Sequence, residues 1–172
     1  MRAMFSTRFP ALAALAMAAL MTACAHAPVA NVPLQDNAGA QLAYAEKYKT
    51  SKSLELITDN NELRTAREIV RQTYSKVAEF FPDDRTFTPV ARLTVIEMDG
   101  GLDNQRVVVS KDTVYDAIEQ LQQLAGQYPD HAFVQAKALY DQGLCHKRLG
   151  EFAQAQECFK TISEKYAKNS NE

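Results

Sequence analysis

The 172 residues carry 19 basic and 21 acidic side chains, a net charge of −2, with 47% hydrophobic residues and no tryptophan. No basic excess is available to neutralise phosphates, which argues against a nucleic-acid partner. A chain of this size buries about two-thirds of its unfolded surface, enough for one cooperative core.

Arg2 and Arg8 precede residues 11–21, an apolar run without a charge. The run is too short to span a bilayer and has the charged-then-apolar order of a secretory signal peptide. It closes on Met21-Thr22-Ala23-Cys24, which resembles the lipobox of bacterial lipoproteins, with Met21 where that family usually has Leu. The resemblance implies cleavage after Ala23 and lipidation of Cys24. Ala25 in place of Asp implies an outer-membrane rather than inner-membrane destination. Several acyl chains would make the anchoring stable. The competing reading is an ordinary secreted protein with a chance cysteine. "AHAPVANVPLQDNAGA", residues 25–40, has no period of either kind and reads as a flexible tether. The expected division is a signal peptide (1–23), a lipidated cysteine and tether (24–40) and a helical domain (41–172).

From Asp59 the pattern becomes helical. Asp59 and Glu62 form a capping box, Leu63, Ala66, Val70, Tyr74, Val77 and Phe81 hold one face, and Pro82 ends it. A second helix starts near Ser110 or Asp112, with Val114, Ala117, Ile118, Leu121, Leu124, Ala125 and Tyr128 on its face. A third runs from Glu151 with Phe152, Ala155, Phe159, Ile162 and Tyr166. All three follow the 3.6 period, and none alternates like a strand. Each is preceded by an expected partner helix. Residues 41–57 form the first, and 88–98, opened by Thr88-Pro89, the second. The third is 131–149, capped by Asp130, with Ala132, Ala136, Leu139, Tyr140, Gly143 and Leu149 on its face and Gly150 at its end.

The faces recur. Val70, Tyr74, Val77 and Phe81 match Ala117, Leu121, Leu124 and Tyr128, then Ala155, Phe159, Ile162 and Tyr166, and "FPDD" and "YPDH" close the first two units. This predicts an all-α repeat array of about three helical hairpins, each unit needing a stacked neighbour.

"AKALYDQGLCHKRLGEFAQAQECFKTISEKYAKN", residues 136–169, resembles one tetratricopeptide repeat (TPR), giving a short TPR-like α-solenoid. Gly143 stands where that family packs its two helices tightly, Leu149-Gly150 where the hairpin turns, and Phe152, Ala155 and Phe159 on its core face. Leu139, Gln142, His146 and Ala167 depart from the usual Trp, Leu, Tyr and Pro. The stretch "YPDHAFVQAKALYDQG" also resembles periplasmic repeat lipoproteins of β-barrel assembly and Tol–Pal-linked division coordination. The resemblance implies a concave groove lined by the first helix of each hairpin, here Lys137, Tyr140, Asp141, Leu144, Lys147 and Arg148. Tyr140 and Leu144 stand where the family's carboxylate clamp needs Lys and Asn, so chaperone-tail binding is not expected. An aromatic among cations suits an amphipathic or acidic peptide segment; a solvated charged face is the plainer alternative.

Residues 99–112, "DGGLDNQRVVVSKD", enlarge the loop of the middle hairpin. Their β-prone "RVVV" either packs under the array, the favoured reading, or offers an edge to a partner. Cys145 and His146 diverge by about 100° on one helix, so no zinc set is expected. Cys145 and Cys158 read as two small buried hydrophobes, with a disulfide between the facing helices as the second reading. His131 opens a helix, while Asp83, Asp84 and Asp99 lie in turns that such residues cap locally. No phosphate loop or serine elbow is present, so neither an enzyme nor a cofactor is expected. Two functions stand: an outer-membrane lipoprotein scaffold that recruits periplasmic or barrel proteins, or a structural subunit of a larger envelope machine for secretion, pili, polysaccharide export or barrel assembly.

Overall fold

A computed structural model describes residues 31–166. The expected signal peptide, Cys24 and the first part of the tether lie outside the described residues, as do residues 167–172. The described residues form six helices and no strand: α1 (Ala38–Lys52), α2 (Asn60–Phe80), α3 (Thr88–Asp99), α4 (Lys111–Gln127), α5 (Ala132–Leu149) and α6 (Phe152–Lys165). None is long and apolar enough to cross a membrane.

Each boundary has a local cause. The Asp59 carboxylate accepts the amides of Asn61 and Glu62 at 2.9 and 2.8 Å, capping α2. Ser110 Oγ accepts from Thr113 N at 3.1 Å to start α4. At α5 the cap is His131, whose Nδ1 accepts from Val134 N at 3.4 Å, rather than Asp130. Gly150 takes φ 83° and ends α5, a conformation that costs glycine nothing.

Packing follows the expected faces of α2 and α4. Leu63, Ala66, Val70, Tyr74 and Val77 form a core with Ala45, Leu54, Ala91 and Met98. Val114, Ala117, Ile118, Leu121 and Leu124 form another with Leu93, Ile96, Val134, Ala138 and Cys145. Helix α3 feeds both, Ala91 and Met98 on one side and Leu93 and Ile96 on the other, and so joins the hairpins.

Four expectations need correction. Residues 38–40, placed in the tether, are the first turn of α1. Just before it, Val32 is buried and Gln35 N donates to Gln41 Oε1 at 2.9 Å. The buried row of α5 is Val134, Ala138, Asp141, Gln142, Gly143 and Cys145. Ala132 and Tyr140 lie outside the core, because α5 is packed on two sides by α4 and α6 and shows no single stripe. On α6 only Ala155 is buried, and Phe152 is 69% exposed, because no described helix packs on its outer face. The 106–109 run forms no strand. Val109 packs on the second core, whereas Val108 is 94% exposed.

Candidate partner-binding groove

The first helices of successive hairpins touch, α1 on α3 and α3 on α5, while the backbones of α2, α4 and α6 do not approach one another. Closer spacing on one side curves the stack, with α1, α3 and α5 inside. The α3–α5 part of this inner surface is held by ions. Lys137 Nζ bonds Asp141 at 2.6 and 2.8 Å and also bonds Glu97 of α3. Two carboxylates thus share one ammonium, and the Asp141 side chain is fully buried.

Charge is unevenly supported here. Burial raises the Asp141 carboxyl above the usual carboxylate range; Lys137 opposes this and Glu97 adds to it. Burial works against the Lys137 ammonium, but its bonds to Asp141 and Glu97 outweigh that cost and place its pKa above the usual lysine value. Tyr74 of α2 is fully buried in the core that α1, α2 and α3 share. Burial, then Glu46 of α1 and Glu97 of α3, push this phenol up. Lys49 Nζ lies 5.9 Å from the Tyr74 ring centre.

The six residues assigned to the groove divide. Lys137, Asp141 and Tyr140 come together, with Lys137 Nζ 5.5 Å from the Tyr140 ring centre. Tyr140 is 45% exposed and its ring tilts against Phe159 of α6 at 5.8 Å. Leu144 is half-buried. Lys147 lies apart, lining an open groove of about 570 Å³ with Phe152, Ala155, Gln156, Phe159 and Lys160. Arg148 turns away to the middle hairpin and donates to the carbonyls of Gly100 and Gly101 at 2.9 and 3.2 Å. Of the three assigned cations, Lys137 is neutralised twice over, Arg148 closes a loop, and Lys147 stays exposed. Sequence reading missed Glu97, which lies forty residues before Lys137 on another helix, so no local spacing signals it.

The enlarged loop is pinned rather than loose. Arg67 bonds both Asp103 carboxylate oxygens, at 3.1 and 2.6 Å, and the Met98 carbonyl at 2.6 Å. Arg71 holds Asp99, and Arg106 donates to the Ile57 and Thr58 carbonyls. Cys145 and Cys158 are both free thiols. Burial, with Asp141 nearby, pushes Cys145 up to about 11, and burial also raises Cys158. Thiols held in this state are poor nucleophiles.

The tetratricopeptide repeat family model matches residues 137–169, most of α5 and all of α6. No curated protein matches the chain, and no solved structure does. Repeats of this family are protein–protein interaction modules and are typically not catalytic. The last hairpin thus carries a tetratricopeptide repeat.

Proposed function

We propose that the protein is an outer-membrane lipoprotein, anchored through Cys24 and facing the periplasm, whose helical array recruits another envelope protein as a scaffold or adaptor. The observation that carries the scaffold reading is the inner surface itself. Three first helices stand side by side, with Tyr140 partly exposed above a fixed ion cluster. A rigid aromatic beside a satisfied polar network is the arrangement that binds a peptide segment at low ordering cost. The anchor rests on the basic start, the short apolar run and the Thr-Ala-Cys junction. The groove assignment keeps Lys137, Tyr140 and Leu144 as contact residues, with Asp141 buried beneath Lys137.

A second reading, a fixed subunit of a larger envelope machine, is favoured by α6. Its outer face leaves Phe152 exposed and Phe159 along an open groove, a surface that a neighbouring subunit would complete. Purification from native membranes followed by mass spectrometry separates the two. A stoichiometric assembly indicates the subunit; substoichiometric partners that vary with growth conditions indicate the scaffold. Palmitate labelling of wild type and Cys24→Ala tests the anchor, and label that persists in the variant overturns it.

A further inference from the structure

Helices α4 and α6 carry the same face at matching places, but only α4 has it covered. On α4, Ala117, Leu121 and Leu124 are buried in one cluster with Val134, Ala138 and Cys145 of α5. At the matching places of α6, Ala155 is buried, whereas Phe159 and Ile162 are half-buried, and no described helix follows. Helix α5 lies on α4 and touches α3. The pair α5 and α6 offers the same kind of seat one hairpin further on, as stacked repeats do. That seat is open: a groove of about 570 Å³ runs between Lys147 of α5 and Phe152, Ala155, Gln156, Phe159 and Lys160 of α6. Its rim is cationic. Lys147 is exposed and has no ion pair among the described residues. Lys160 meets Glu164 only at 3.9 Å, with both side chains more than half exposed, a contact that contributes little. Among the described residues no carboxylate lines the groove.

We propose that this groove receives an acidic amphipathic helix of a partner protein, seated as α5 is seated on α3 and α4. The proposal rests on reading α6 as an interface and names what covers it. The shape follows from the repeat. The preceding seat holds a helix that presents Val134, Ala138 and Cys145, so small apolar residues at helical spacing fit here too. The charge follows from the rim. Glu or Asp side chains flanking that stripe meet Lys147 and Lys160, which have no close counter-charge of their own. Phe152, mostly exposed, and Phe159 supply aromatic surface for the stripe to bury. A basic helix would set like charges together. A second copy of this chain fits less well, because a twofold contact centred on the groove brings Lys147 and Lys160 against the same two cations. Residues 167–172, Ala-Lys-Asn-Ser-Asn-Glu, hold one apolar side chain and cannot supply the stripe.

The test uses the full chain in nonionic detergent and two fluorescein-labelled helical peptides of about sixteen residues. Both carry the same stripe of Ala, Val and Leu at helical spacing. The other positions are Glu and Gln in one peptide and Lys and Gln in the other. Fluorescence anisotropy reads the affinities, with protein-free micelles as the blank. The acidic peptide is expected to bind at least tenfold more tightly than the basic one, and Lys147→Gln with Lys160→Gln to remove most of that preference. Lys47→Gln with Lys52→Gln, an equal charge change on α1, which does not touch α6, is expected to leave it unchanged. Phe152→Ala is expected to weaken acidic-peptide binding about tenfold without changing the melting temperature, because the side chain is exposed. Equal or tighter binding of the basic peptide overturns the inference, as does a Lys147 and Lys160 effect no larger than that of the α1 pair. A dimer in sedimentation velocity that Phe152→Glu dissolves also overturns it, by showing a second copy in the groove. Failure of both peptides to bind overturns it too, while the membrane purification still decides whether the protein is a fixed subunit.

Discussion

Gly143 of α5 and Phe159 of α6 interlock: a Cβ on Gly143 would lie 2.6 Å from Phe159 Cε1 and 2.7 Å from Cζ. The missing side chain lets the aromatic ring lie on the α5 backbone, and Tyr140 closes over the same ring from one turn earlier. Gly143→Ala must therefore push the ring and α6 outward, at a cost of about 2 kcal/mol for overpacking. Urea unfolding of the single variant and of Gly143→Ala with Phe159→Leu measures this. The double variant is expected to recover part of the loss. An unchanged midpoint for Gly143→Ala would mean that the helices do not approach this closely.

Ala155 is the one buried residue of α6. Ala155→Asp places a charge there without a partner, and a loss of several kcal/mol is expected. A melting curve that coincides with wild type would mean that α6 is rotated from this register.

Arg67 and Asp103 form the least exposed ion pair of the middle loop, with side chains 13% and 5% accessible. Arg67→Met leaves Asp103 buried and unpaired, so a loss of about 3 kcal/mol is expected. Adding Asp103→Asn to Arg67→Met is expected to restore a good part of it. Equal stability of the single and double variants would show that Asp103 finds water instead.

Asp141 sets a pH dependence whose sign follows from its burial. Its folded pKa lies above its unfolded value, so the folded state keeps a proton that the unfolded chain releases. Stability from this group is complete below about pH 4, the ordinary carboxyl range, and declines as pH rises towards neutrality. Asp141→Asn is expected to be about 1 kcal/mol more stable than wild type at pH 8 and equal to it at pH 4. Denaturant midpoints across that range decide it. An Asn variant less stable at pH 8 would mean that the Lys137 pair outweighs the cost of burial.

The helices with one apolar stripe were legible in the sequence. For α2 and α4, residues such as Val70 and Leu121 recur at the helical period and are buried, while Phe81, Ala125 and Tyr128 of the same faces are half-buried. Helix α5 was legible as a helix but not in its packing, since two neighbours divide its surface and a buried Asp141 interrupts the apolar row. The groove was half legible. The resemblance pointed to Lys137 and Tyr140, which lie together, but the second carboxylate on Lys137, Glu97, comes from α3. Arg148 looked free because its acceptors are backbone carbonyls of a distant loop, and carbonyls leave no mark in a sequence.

The central claim is that the inner surface of α1, α3 and α5 is where a partner protein docks. Site-specific photo-cross-linking in intact cells tests it most directly, with a benzophenone amino acid at Tyr140 on the inner surface or at Gln122, exposed on α4. The account predicts a discrete higher-mass protein adduct from position 140 and none from position 122. An adduct from position 122 with none from 140 would place the binding surface on the outer helices and contradict the account.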